Sequence, residues 1–274
     1  MVANMMLQAL VLATVISFQT AAAKPHAPVQ AVPKEPAIGT TKKSLKGDID
    51  MVYVPSGEFT MGSIYLVEEK PMRKVFLDGF WIGKNVITVA QFRAYCSDAV
   101  YDFQWEENKP EWGWVDNQPM VNVTWDEAAA YCKWAGGDLP TEAQWEKAAR
   151  GDKGLLFPWG MQFKADLLQS SIEGAQTGPV PVGSFPLGAS PYGCLDMAGN
   201  VFQWVADWHS DDGYTDLPVK NPVGIAYGDY RVLRGGSWNS VEAGMVRTSH
   251  RFYKDPSTRS PEYGFRMAAS KVGP

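Results

Sequence analysis

Arg234-Gly235-Gly236-Ser237-Trp238-Asn239-Ser240, answered downstream by Gly264-Phe265-Arg266, is the stretch from which the fold is read. Adjacent glycines let the backbone enter conformations closed to other residues and approach a neighbour closely. The run therefore marks a tight turn, and the two segments together frame a candidate pocket. Arg247, Arg251 and Arg266 read as guanidinium groups that could line it and accept an anion, with Arg234 and Trp238 as further binding candidates. Arg266 also reads as a brace that holds the turn. Ser237 after two glycines is equally accounted for by local hydrogen bonding to the backbone.

Outward from the turn, 274 residues with 45% hydrophobic content and net charge −5 describe a globular chain with one substantial core. The acidic balance argues against nucleic acid as a partner. Met5 to Phe18 is apolar but too short to span a bilayer, and Ala21-Ala22-Ala23 precedes Lys24. That pattern predicts a signal peptide over residues 1–23 and a periplasmic or secreted destination. Met1 to Asn4 lacks Lys and Arg, so a retained membrane anchor is the alternative. Residues 24–49 carry Pro25, Pro28, Pro33 and Pro36 and read as an extended tether. One folded domain is expected over 50–270. Cys96, Cys132 and Cys194 leave at least one thiol unpaired within the chain; Cys96 and Cys132 read as a bridge or as buried small apolar groups.

Three helix starts are legible. Thr88 is followed by Gln91, Thr124 by Glu127 and Thr141 by Gln144, each a capping box that satisfies orphan amides at a helix amino terminus. The first helix should bury Val89, Phe92, Tyr95 and Ala99, the second Ala128, Tyr131 and Trp134 or Ala135. Short strands fit Met51–Pro55, Lys74–Leu77, Phe80–Ile82 and Arg231–Arg234. Gly151 to Pro191, rich in Gly, Pro and Ser, predicts an ordered loop anchored by Phe157, Trp159 and Phe185. Asp207, His209, Asp211 and Asp212 read as a solvated loop after a core tryptophan.

These segments occur in a fixed order with Met51-Val52-Tyr53-Val54-Pro55-Ser56-Gly57-Glu58-Phe59, Met61-Gly62-Ser63, Leu139-Pro140-Thr141-Glu142-Ala143-Gln144-Trp145-Glu146, Phe157-Pro158-Trp159-Gly160, Pro181-Val182-Gly183-Ser184 and Met197-Ala198-Gly199-Asn200-Val201. The whole resembles the sulfatase-modifying-factor family, typified by formylglycine-generating enzyme. That resemblance implies a single irregular α+β domain with little regular secondary structure, similar to C-type lectins. It also implies a copper site of two cysteines, three and eight residues after the serine of the turn. Here those positions hold Ser240 and Met245. A hydroxyl is a poor copper(I) ligand and a thioether a weaker, neutral one than a thiolate, so copper is not expected. Phe202 stands where the family's oxygen pocket has Trp.

By the same resemblance, calcium is expected on Asp196, Gly199, Val201 and Gln203, with hard oxygen ligands supplied by side chains and backbone. A second, weaker calcium position falls at Asp166 and Leu167. Beside Ser237, Ser240, Met245 and Phe202, His250 completes the pocket candidates. A histidine-ligated iron site has too few histidines in the domain. The expectation is an exported accessory or maturation factor that binds a peptide or small molecule. An oxidative maturation enzyme, for example for a secreted metabolite such as a siderophore chromophore, and a lectin-like envelope scaffold are the alternatives.

Overall fold

The computed structural model describes residues 35–273, so the signal-peptide reading and residues 24–34 of the tether lie outside the described residues. Along the chain run strands β1 (Thr41–Lys43), β2 (Asp50–Val54), β3 (Gly57–Met61), β4 (Arg73–Leu77) and β5 (Phe80–Gly83). Helices α1 (Val89–Asp98), α2 (Trp125–Trp134) and α3 (Glu142–Arg150) follow. Strands β6 (Phe202–Trp208), β7 (Arg231–Arg234), β8 (Arg251–Lys254), β9 (Tyr263–Phe265) and β10 (Ala268–Ala269) complete the order.

All three capping boxes form. Thr88, Thr124 and Thr141 each accept the amide of the residue three ahead, and the side chains of Gln91, Glu127 and Gln144 each return a bond to the cap amide. Val89, Phe92 and Tyr95 are buried on α1, but Cys96 takes the place expected of Ala99, which lies beyond the last turn as the exposed C-cap. Ala128, Tyr131 and Ala135 are buried on or just past α2. Phe92 stacks on Tyr131 at 5.8 Å and meets Phe103, Phe265 and Trp105 edge-on, geometries that suit the ring quadrupoles. Cys96, Cys132 and Cys194 are all free and buried, so the Cys96–Cys132 bridge does not form; burial raises all three thiols.

One sheet has the order β1-β2-β5-β10, a second pairs β3 with β4, and a third has the order β8-β7-β6-β9. The reading of 24–49 as a tether is corrected at its carboxyl end. Thr41–Lys43 pairs antiparallel with Met51 and its neighbours, and Ile49 is 3% exposed in the core. Backbone pairing rather than side-chain burial ends the tether, since Thr41–Lys43 are all exposed. The third sheet carries the site: β6 pairs antiparallel with β7 and parallel with β9, so the two opening segments flank the same central strand. Gly151 to Pro191 is indeed mostly loop, with short 3-10 turns at Ala165–Leu167 and Pro186–Gly188. Phe157 holds it by stacking on Trp159 at 5.5 Å and meeting Phe163 edge-on.

Candidate functional site

The turn after β7 requires its glycines. Gly235 and Gly236 have φ of 97° and 73°, and a Cβ on Gly236 would lie 2.7 Å from Val246 Cγ1. The backbone here is stitched to the 199–200 turn: the Gly199 amide donates to Gly235 O at 2.8 Å and the Trp238 amide to Asn200 O at 2.9 Å. Ser240 Oγ accepts the Ser237 amide at 3.0 Å and is fully buried. Serine thus closes the turn in the position where the resemblance implies a thiolate. Met245 is partly buried against the main aromatic core. Phe202 is buried and stacks on Phe252 at 4.9 Å.

Arg234 does not face a ligand. It is 0% exposed; its Nη1 donates to Glu142 Oε1 at 3.1 Å and its Nη2 to Glu146 Oε2 at 2.7 Å, with the carbonyls of Ser249 and Thr248 as further acceptors. Glu142 also accepts Arg251 Nε at 2.7 Å and Nη2 at 3.0 Å, while Glu146 accepts Arg150 Nη1 at 2.6 Å and the Gly62 amide at 2.8 Å. Buried charges persist only when paired and hydrogen-bonded, and here α3 supplies the anions while β7 and β8 supply cations. Glu69 and Arg247 add a bidentate pair at 2.8 Å. His250, with Glu69, Arg234 and Arg247 as its charged neighbours, has Nδ1 buried without a partner, and burial pushes it down to about 4.

Arg266 is likewise a brace. Nε donates to Gln203 Oε1 at 2.6 Å, Nη1 to Gly83 O at 2.7 Å and Nη2 to Leu195 O at 2.7 Å and Asp196 O at 3.3 Å. Gln203 Oε1 also accepts Trp145 Nε1 at 2.8 Å, and Gln203 Nε2 donates to Asp196 O at 2.6 Å. An amide oxygen has two lone pairs, and both are taken. The expected calcium set of Asp196, Gly199, Val201 and Gln203 therefore does not fit: Gln203 has no oxygen to give, and a guanidinium bonds the Asp196 carbonyl where a dication would be repelled. The Asp196 carboxylate accepts the Gly183 amide at 2.8 Å, and burial raises it above the usual range. Asp166 is exposed on its 3-10 turn beside Leu167, and no group of three or more His, Cys, Asp or Glu among the described residues is arranged to hold a metal. Chelation is expected to leave the thermal midpoint unchanged, because a ligand that binds only the folded state raises it by mass action. A midpoint that falls with chelator and returns with calcium contradicts this.

What the turn presents outward is its rim. Ser237 Oγ donates to Glu262 Oε2 at 2.5 Å, Asn239 Nδ2 to Glu262 Oε1 at 3.3 Å, and the Asn239 amide to Ser237 Oγ at 3.2 Å. Trp238 donates to Pro261 O at 3.1 Å and meets Trp112 edge-on at 5.8 Å. Glu262 was not legible as a site residue, since its position depends on β9 lying parallel beside β6. The acidic cluster is also corrected: Asp207 and His209 are buried, not solvated. Asp207 Oδ2 accepts the Glu142 amide at 2.7 Å, and burial next to Glu142 pushes it up to about 7. His209 stacks on Tyr253 at 3.7 Å.

A closed Gly-Gly-Ser turn, braced by Arg234 and Arg266 in an α+β domain with three small sheets, defines a fold class with few regular elements, of the C-type-lectin-like kind. Residues 37–271 match the model of the sulfatase-modifying factor enzyme 1-like domain, and the chain belongs to that family. It is 30% identical to the formylglycine-generating enzyme of Streptomyces coelicolor, over 88% of this chain and 95% of that protein. It is 36% identical to the serine/threonine-protein kinase pkn1 of Chlamydia caviae over 80% of this chain, but spans only 38% of that protein's length. The solved structure of PvdO from Pseudomonas aeruginosa superposes with a TM-score of 0.75 at 27% identity, covering 86% of this chain and all of that one.

Proposed function

We propose that the chain is an exported accessory or maturation factor that binds a peptide or small molecule on the rim formed by Trp238, Asn239 and Glu262, and that it does not make formylglycine by the copper and cysteine route. The observation that carries this reading is Ser240, buried and spent on the Ser237 amide. With a hydroxyl there and the Met245 thioether beyond it, the turn has no thiolate to bind copper(I) or to form a disulfide with a substrate.

The rim is suited to recognition. An indole supplies contact area at low entropic cost, and a carboxylate already polarised by Ser237 and Asn239 offers an acceptor to a ligand amide or ammonium group. The second reading, an oxidative maturation enzyme, is favoured by the 30% identity to an enzyme named for generating formylglycine. In it Glu262 would take a proton from the ligand, with Ser237 holding the carboxylate in place, and an external two-electron oxidant such as dioxygen would have to accept the electrons.

Panning a displayed random-peptide library on the purified protein, with a fragment screen by ligand-observed NMR alongside, tests the rim. Binders are expected to lose at least tenfold in affinity with Trp238→Ala or Glu262→Gln. Binders indifferent to both substitutions, or none from either library, contradict the reading.

A further inference from the structure

The guanidinium of Arg231, at the opposite end of β7 from the Gly-Gly-Ser turn, is held differently from those of the buried network. Arg150, Arg234, Arg247 and Arg251 each hold a carboxylate. Arg231 has none within 4.0 Å among the described residues. Instead its Cζ lies 3.6 Å from the ring centroid of Trp125 and 3.4 Å from that of Trp208. Both faces of the guanidinium are covered, so only its edges are free to bond. Nη1 donates to Ala206 O at 2.6 Å, whereas Nε is buried and has no partner. A buried donor left unpaired costs roughly 1–3 kcal/mol. Hydrogen bonds from a guanidinium to an ionised carboxylate are roughly twice as strong as those to a neutral acceptor.

A cleft of about 270 Å³ opens at this point, lined by Ala206, Asp207, Trp208, Val223, Ile225 and Arg231. Through Val223, Gly224 and Ile225 it shares a wall with a second cleft of about 360 Å³ that Asp212, Thr215 and Leu217 also line. Small-molecule sites have this form: apolar walls with a few fixed polar groups. The indole of Trp208 and the side chains of Val223 and Ile225 supply the walls, and Arg231 the polar group.

We propose that the cleft beside Arg231 is a binding site for a small organic acid, whose carboxylate accepts from Nη2, the guanidinium nitrogen that has no acceptor among the described residues and is not sealed from solvent, while its apolar part lies along Trp208, Val223 and Ile225. The site is separate from the rim around Trp238, and its test does not depend on that reading. Two features favour an anion over a neutral ligand. The guanidinium is clamped by two indoles, so little entropy is lost when it binds. Two carboxyls act on Arg231 from a distance, Asp126 and more weakly Asp207, but neither lies within 4.0 Å of the guanidinium, and Asp207 is bonded inward to the Glu142 amide, so neither forms an ion pair with it.

The test is a ligand-observed NMR titration of the full chain at pH 6 with benzoate and with its neutral counterpart benzamide. Benzoate is expected to bind with a millimolar dissociation constant and benzamide at least tenfold more weakly. Arg231→Lys keeps the charge but loses the planar fork, and should weaken benzoate at least tenfold. Because that clamp also packs the sheet, a second variant uses the lip: Ile225 is 41% exposed, so Ile225→Asp spares the core and puts a carboxylate on the wall of the cleft that Arg231 also lines. It should abolish benzoate binding with an unchanged melting midpoint. Equal binding of benzoate and benzamide, undiminished binding to Ile225→Asp, or no benzoate binding at millimolar concentration overturns the proposal.

Discussion

Arg234→Met should lower the free energy of unfolding by about 3–5 kcal/mol, the cost of removing one partner from a buried ion pair. The cause is what it leaves behind. Glu146 Oε2 loses its donor at 2.7 Å, Glu142 loses one at 3.1 Å, and the carbonyls of Thr248 and Ser249 lose theirs, all in a site where Arg234 is 0% exposed. Arg251 still bonds Glu142 and Arg150 still bonds Glu146, so the anions are weakened rather than abandoned. A Glu146→Gln change in the same chain removes the charge that Arg234 had balanced, and the double variant should be more stable than the sum of the single changes predicts. Urea denaturation of the four chains measures both quantities. A loss below about 1 kcal/mol for Arg234→Met would mean that the arginine is exposed in solution, as a ligand-binding residue would be.

Asp207→Asn carries a pH-dependent effect of similar size. Burial and the neighbouring Glu142 push the Asp207 carboxyl from 3.8 in the unfolded chain to about 7 in the folded one. Between those values the folded state binds more protons, so this group's contribution to stability falls as pH rises and is fully lost above about 7. Asparagine has no such titration and can still accept the Glu142 amide. From pH 5 to pH 8 the stability of the variant relative to the wild type should grow by about 3 kcal/mol, from 1.36 kcal/mol per unit over the two units below 7. The amide group also faces the Gly224 amide where an acceptor stood, which subtracts about 1 kcal/mol at every pH. Denaturation curves at the two pH values give the difference directly. A difference that is flat with pH would place the Asp207 carboxylate in contact with solvent.

Local chemistry was legible in the sequence and long-range pairing was not. Thr88, Thr124 and Thr141 announced their helices because a capping box lies within four residues. β6 was missed because Phe202, Gln203, Trp204 and Val205 are all buried, which removes the alternation that marks a half-exposed strand. β9 is three residues long and exists only through parallel pairing with β6. The same gap explains the site residues. Arg234 looked available because its carboxylate acceptors lie on α3, whereas Arg266 does brace the turn as its sequence suggested, through Gln203 and the carbonyls of residues 83, 84, 195 and 196. Glu262 was invisible beside Ser237 because nothing local joins positions 25 residues apart. The motif order, by contrast, was enough to assign the family that residues 37–271 match.

Ser240 and Met245 stand where the family resemblance implies two cysteines, and the central proposal is therefore that the turn at Arg234–Ser240 lacks the family's thiol chemistry. Incubating the purified chain with a cysteine-containing sulfatase-motif peptide, copper, oxygen and a thiol reductant, and scoring the peptide by mass spectrometry for conversion of cysteine to aldehyde, tests it most directly. The expected result is no aldehyde above the protein-free control. Catalytic conversion, many aldehydes per protein molecule, would contradict the account, because Ser240 and Met245 offer no thiolate through which that reaction could run.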